Sequence, residues 1–330
     1  MAVLKKILPI LLRIGISIIL LVFLFKQIGE KSLLAVIKNV DIGLLLLAAV
    51  IYFSTYVFCL FRWEMLLKGA KIHLPLKRVI ISLAGGHFFN LFLPSTIGGD
   101  LVRSIDLATH TKKPREVVAT VLLDRLSGYV GLVIVALLAL LFGWKLVEDR
   151  SVLLSVAIIT GILIVTLLIL FNRFLYTKIN QILHSSTAGR IREAIKNLHH
   201  ELHIFRHHKK IILKNLILSV LIQVASPVTF YIIALSLGIK IDITYFFVYL
   251  PIIGAITLLP ISIGGLGLRD ATTVFFFSKA GVSKDLAFAM SLINFSFILV
   301  YASIGGLIYV LTIHHRRVQY HKPHQVYSHL

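Results

Sequence analysis

Apolar residues fall along this chain in runs of two lengths. Residues 7–25, 42–61, 117–144, 152–171, 216–237 and 286–313 are each long enough to cross roughly 30 Å of hydrocarbon as a helix. Residues 79–93 and 245–259 are equally apolar but run for only 15 residues each, too few to span. Each short run also ends on the same pattern. Leu93-Pro94-Ser95-Thr96-Ile97-Gly98-Gly99-Asp100-Leu101-Val102-Arg103 returns 166 residues later as Leu259-Pro260-Ile261-Ser262-Ile263-Gly264-Gly265-Leu266-Gly267-Leu268-Arg269. Short, Gly/Pro-broken segments at matching places in two halves of a membrane protein point to its binding site.

With the N-terminus placed in the cytoplasm, the path is self-consistent. The first short segment enters from the cytoplasm and the second from the opposite face. This predicts an all-α polytopic membrane protein built as an inverted-topology repeat, with about six full spans plus two re-entrant helical hairpins, eight or so membrane segments in all. Residues 1–144 form the first repeat, with its re-entrant motif at 94–103. Residues 145–313 form the second, with its motif at 260–269 and a cytoplasmic segment at 172–214. Residues 314–330 form a polar tail. Residues 62–78 read as a basic cytoplasmic loop, and both termini as cytoplasmic.

Composition supports the membrane assignment: 58% of residues are hydrophobic and 15% charged, against about 25% charged in a soluble domain. Mean hydropathy is +0.93. The net charge of +20 raises nucleic acid as a partner, and its distribution argues against one. Most of the lysines and arginines fall in the predicted cytoplasmic segments, as the positive-inside rule requires. That bias favours contact with anionic lipid headgroups at the inner face of a cell (plasma or inner) membrane. Lys5 and Lys6 before residues 7–25 resemble a signal peptide, but the run is long and has no convincing cleavage site, so it reads as a retained helix. Cys59 is alone, which rules out a disulfide framework or a cysteine zinc site. His199, His203 and His207 share a helical face, yet Ile191, Ala194, Ile195, Leu198, Leu202 and Phe205 lie along another among many basic residues. An amphipathic helix on the cytoplasmic leaflet explains that segment better than a metal site.

Candidate chemistry sits where charge meets the apolar runs. Asp124 and Arg125 lie inside the 117–144 run, where a charge costs roughly 2.5–3.5 kcal/mol on insertion scales, so such residues face inward and are commonly functional. Neighbours on a helix point about 100° apart, so each needs its own partner. Asp124 can meet Arg103 or Arg269; Arg125 can meet Asp100, Asp270 or a lipid phosphate. Gly98-Gly99 and Gly264-Gly265 permit positive φ and close backbone approach, and an anion-binding nest of amides; tight helix packing is the plainer alternative. The buried charges likewise admit a purely structural role as interhelical ion pairs. Arg13, near the cytoplasmic end of its run, can simply snorkel. The candidate substrate-binding set is Asn90, Ser95, Gly98, Gly99, Asp100, Arg103, Asp124, Arg125, Ser262, Gly264, Gly265, Arg269 and Asp270. No catalytic residue, metal ligand or cofactor is assigned: there is no Walker loop, dinucleotide fingerprint, HExxH or GxSxG motif.

The stretch from Asn90 to Arg103, the pair Asp124-Arg125, and Leu259-Pro260 through Gly264-Gly265 to Arg269-Asp270 resemble the lysylphosphatidylglycerol synthase transmembrane region family, also called flippase-like membrane proteins (UPF0104). The resemblance covers nearly the whole chain. In the larger members, the multiple-peptide-resistance proteins, this region is the lipid flippase and a separate cytosolic acyltransferase domain makes the aminoacyl lipid. The resemblance therefore implies the translocating part without the synthase part. Family members often carry Glu where this chain has Asp124 and Asp270, and some archaeal relatives are tied to lipid-linked glycosylation.

Three functions follow as expectations. The first is translocation of a phospholipid or lipid-linked headgroup between leaflets through a polar cavity at the repeat interface, without enzymatic chemistry. The second is a membrane-embedded aminoacyl- or glycosyl-lipid transferase. The third is a non-catalytic partner that recruits a separate lipid-modifying enzyme.

Overall fold

The computed structural model describes residues 40–93, 98–111, 113–143, 150–171, 208–258 and 261–320, together with Gly15, Ile18, Ile19 and Val22. Every regular element among them is helical: α1 (Ile42–Gly69), α2 (Leu76–Asn90), α3 (Gly98–Thr111), α4 (Pro114–Gly143), α5 (Arg150–Phe171), α6 (Lys209–Ser236), α7 (Ile243–Thr257), α8 (Leu268–Lys279) and α9 (Lys284–Tyr320). Four of these, α1, α4, α6 and α9 (over Lys284–Thr312), are long and apolar enough to cross a membrane. The run 7–25, most of the 172–214 segment with its histidines up to His207, and the tail from residue 321 lie outside the described residues, as do Ser95 and the rest of the turn 94–97.

Local chemistry sets the helix ends. Asp41 caps α1 by accepting from the Leu44 amide at 3.0 Å, and Asp242 caps α7 by accepting from the Thr244 amide at 2.7 Å. Pro114 opens α4, where a missing N–H costs nothing. α6 and α8 each end on a tight wrap: Ile239 donates back to Ala234 and Val282 to Phe277, with Gly238 and Gly281 at positive φ. α2 and α7 have 15 residues each, about 22 Å of rise, which is short of a full span.

The expected loop at residues 62–78 is not a loop over most of its length. α1 continues two turns past the apolar run to Gly69, because Trp63, Leu66 and Leu67 are buried on its inner face. Hydropathy falls at Arg62 while the amphipathic pattern, which decides the helix, carries on.

Packing follows a paired pattern. α1 lies along α6; α2 packs on α9, and α7 on α4; α2 folds back on α3, and α7 on α8; α3 then meets α4, and α8 meets α9. Small residues let α2 approach α9: Gly305 lies against Ala84 and Gly306 against Phe88. The larger apolar core is centred on α6–α9, around Ile233, Phe246, Ile252, Phe277, Phe288 and Met290. A smaller one, around Trp63, Leu67, Val79, Leu107 and Val117, knits α1 to α2, α3 and α4. Apart from Arg269–Asp270 on α8, the buried ion pairs among the described residues collect on this second, smaller side of the molecule.

Candidate functional site

A cavity of about 420 Å³ lies between the charged wall of α1–α4 and the opposing faces of α6 and α7. Arg62 comes from α1, His87 and Asn90 from α2, Asp100 and Arg103 from α3, and Asp124 and Arg125 from α4. Across from them stand Gln223, Ser226 and Pro227 of α6 and Pro251, Gly254 and Leu258 at the end of α7. Pro227 and Pro251 sit inside their helices. Each removes one helical N–H, so the carbonyls of Gln223 and Phe247, four residues earlier, lose their ladder donors.

The charges form one alternating chain. Arg62 Nε donates to Asp124 Oδ1 at 2.7 Å, and Arg103 Nη2 donates to Asp124 Oδ2 at 3.0 Å. Arg103 Nε donates to Asp100 Oδ1 at 3.0 Å, and Arg125 Nε donates to Asp100 Oδ2. The order is Arg62–Asp124–Arg103–Asp100–Arg125, with both oxygens of each carboxylate engaged by guanidinium groups. Arg62, Asp100, Arg103 and Asp124 are all buried. The 100° offset between Asp124 and Arg125 sends the first toward Arg62 and Arg103 and the second toward Asp100.

Neutral contacts hold the chain in place. Arg62 Nη1 donates to Ser219 Oγ of α6 at 3.1 Å, while Asn215 Nδ2 donates to the Arg62 carbonyl at 3.4 Å. The Arg62 guanidinium packs over Gly128, where an added methyl group would lie 3.4 Å from Nη1. Arg103 stacks over the Trp63 ring at 4.7 Å, and Trp63 Nε1 donates to Thr120 at 3.2 Å. Gln223 Nε2 donates to the Gly128 carbonyl at 3.1 Å. Behind His87, Tyr56 and Tyr301 meet its ring edge-on.

Of the candidate residues, Asn90, Asp100, Arg103, Asp124 and Arg125 all line this cavity. Asn90 also caps α3, its Oδ1 accepting from the Gly99 amide at 2.7 Å. Gly98 and Gly99 belong to the first turn of α3 and are not among the positive-φ glycines. Gly99 serves close approach instead, packed on the Gly86 carbonyl. In the second motif the glycines do take positive φ, +57° at Gly264 and +78° at Gly265. Gly264 lies against the carbonyls of Leu91 and Asn90, so the second turn touches the end of α2.

Arg269 and Asp270 do not reach the cavity wall. Asp270 instead closes its own turn: it accepts from the Gly267 amide at 3.0 Å, from Ser291 Oγ at 2.6 Å and from Arg269 Nη2 at 3.1 Å. Arg269 stacks over Phe295 at 5.0 Å. Ser262 is buried in the turn before them.

Arg62, His87 and Gln223 belong to the cavity and were not in the sequence-derived set. Pro227 and Pro251, set inside otherwise unbroken apolar runs, were the available signal for the far wall.

The sequence matches the family model described as the lysylphosphatidylglycerol synthase TM region over residues 10–306. It is 26% identical over 313 residues to a UPF0104 membrane protein of Pyrococcus horikoshii, an alignment that covers 86% of this chain and 91% of the relative. A UPF0104 membrane protein of Methanothermobacter thermautotrophicus is 25% identical over 305 residues, covering 85% of this chain and 88% of the relative.

Proposed function

The chain belongs to the lysylphosphatidylglycerol synthase transmembrane region family, and from that premise we propose that it carries a phospholipid or lipid-linked headgroup across a cell membrane through the cavity between α1–α4 and α6–α7. The observation that carries this reading is the chain Arg62–Asp124–Arg103–Asp100–Arg125 on one wall of a 420 Å³ cavity. Asp124 lies ten residues into α4, about 15 Å along it, well inside an apolar span. Ionised groups so placed are expensive, and they mark substrate pathways.

An arginine fork matches the oxygens of a phosphodiester. A headgroup entering the cavity would exchange its hydration for guanidinium contacts while its acyl chains stay in lipid. Translocation would be passive, ion-coupled or drawn by removal of the transported lipid. The inverted repeat provides alternating access: the packing of α2 on α9 beside that of α7 on α4 supports two halves related by a pseudo-twofold axis. The two short hairpins would rock against the long helices.

Reconstitution into liposomes with labelled lipids tests the reading. Leaflet exchange above that of protein-free vesicles, with the lipid chemically unchanged, is the expected result. New lipid species would indicate a transferase, and the absence of both exchange and chemistry would indicate a recruiting partner.

A further inference from the structure

We propose a second lipid site, apart from the cavity: a groove between neighbouring ends of α1 and α6 that holds one anionic phospholipid of the adjoining leaflet. Its acyl chain lies in the groove and its phosphate at a lysine rim. The groove has a volume of about 590 Å³, within the ~300–1,000 Å³ range of small-ligand sites. It shares no lining residue with the cavity. The site requires only that α1 and α6 span a bilayer, not that the protein transports anything.

Along the groove the side chains grade from apolar to cationic, as a phospholipid does. On α1, Phe61, Glu64, Met65 and Lys68 share one helical face, and on α6, Ile211, Lys214 and Leu218 share another. The apolar run of α1 ends at Phe61, and Lys68 lies about 10 Å further along the helix, the step from acyl boundary to headgroup level. Phe61 and Ile217 are 47% and 52% exposed, so the floor opens toward lipid. Polar contacts close the seam beside it: Asn215 Nδ2 donates to the Arg62 carbonyl and Arg62 Nη1 to Ser219. These hold α1 to α6 without filling the groove.

Charge decides the occupant. Lys68 and Lys214 against Glu64 give the groove one net positive charge. Lys68 pairs with Glu64 at 2.8 Å while its side chain stays 58% exposed, so the pair holds it only weakly. Lys214 has no salt bridge among the described residues. Lys209 and Lys210, exposed in the first turn of α6, strengthen the positive field. Basic pockets between membrane helices receive anionic headgroups. A second copy of this chain, docked by a twofold contact, would set the same positive rim against itself; a lipid phosphate neutralises it.

Native mass spectrometry of the detergent-purified full chain, titrated with phosphatidylglycerol or phosphatidylcholine, reads the site. Phosphatidylglycerol should be the better retained. Lys214→Gln should lower its retention about fivefold, the attraction of one lysine at a membrane surface, and Glu64→Gln, which releases Lys68, should raise it. Ile217→Trp fills the floor without changing charge and should lower retention of both lipids. Lys240→Gln, which removes an exposed lysine outside the groove, should change neither, and Arg103→Lys in the cavity wall should leave the groove lipid in place. Retention indifferent to Lys214, Glu64 and Ile217 overturns the site. Retention lost only in Arg103→Lys assigns the lipid to the cavity, which overturns the groove site and leaves translocation standing. A dimer dispersed by Ile217→Trp with lipid retention unchanged gives the groove to a second copy and also overturns it. Groove-dependent retention in a protein without leaflet exchange upholds the site and counts against translocation alone.

Discussion

The guanidinium of Arg62 donates through Nε to Oδ1 of Asp124 at 2.7 Å and through Nη1 to Ser219 at 3.1 Å, so one side chain ties α1 to both α4 and α6. Trimming it to alanine would strand Asp124 with half its charge compensation. Breaking a buried pair in this way costs about 3–5 kcal/mol, whereas replacing both members by neutral groups costs far less. Arg62→Ala should therefore lower the thermal unfolding midpoint in detergent sharply. Arg62→Gln combined with Asp124→Asn should recover most of the loss.

The second motif turn offers a stability test of its contact with α2. At Gly264 φ is +57° and an added methyl group would lie 3.2 Å from the Leu91 carbonyl; at Gly265 φ is +78° and the nearest atom would be 3.6 Å away. Both substitutions to alanine incur left-handed strain of about 1–2 kcal/mol. Gly264→Ala should also displace the Leu91 backbone, so its unfolding midpoint should fall below that of Gly265→Ala. Equal midpoints would mean that the second turn does not bear on the end of α2.

What was legible in the sequence divides along physical lines. The short hairpin helices could be read because Pro-Gly turns bracket apolar runs too brief to span, and α2 and α7 fall within a few residues of those runs. The divergence of Asp124 and Arg125 could be read because helical geometry alone requires it. Arg62 was hidden because hydropathy averages over all faces of a helix. Glu64, Lys68 and Lys71 made the stretch look like a loop while Trp63, Leu66 and Leu67 kept one face buried. The matching arginines end in different surroundings for a related reason. Arg103 is the sixth residue of α3 and reaches the cavity, while Arg269 is the second residue of α8, beside Asp270 at the turn. Identical spacing from Gly-Gly thus lands on different parts of a helix.

Orientation can be tested by labelling single cysteines from either side of intact vesicles. An inverted repeat with a cytoplasmic N-terminus predicts that cysteines at Lys38 and Lys240 react with an impermeant reagent from outside, and those at Lys71 and Lys196 only from inside. Reaction of Lys38 and Lys71 variants from one face would remove the opposed entry of the two hairpins.

Outside the spans, Asp242 gives a pH signature. Its hydrogen bonds from Thr244 hold its carboxyl below the usual carboxylate range. A depressed folded-state pKa adds stability above the unfolded value, near 3.9 for Asp, and that stability is lost as pH falls through the folded value. Asp242→Ala should cost about 1 kcal/mol at neutral pH, whereas Asp242→Asn should retain most of the cap. The asparagine variant should lose less stability than the parent on acidification below about pH 4, as read by unfolding midpoints across that range.

The proposed grip of the buried arginines on a phosphate, as against mere neutralisation of carboxylates, is open to one comparison. Its most direct test is leaflet exchange of labelled phosphatidylglycerol by Arg103→Lys and Asp124→Asn proteins, compared with the parent at equal amounts of folded protein. One ammonium cannot reproduce the fork by which Arg103 spans Asp100 and Asp124. Exchange should therefore fall at least about tenfold in Arg103→Lys, with a clear loss in Asp124→Asn while the protein still inserts and folds. Exchange at the parent rate in both variants would contradict it.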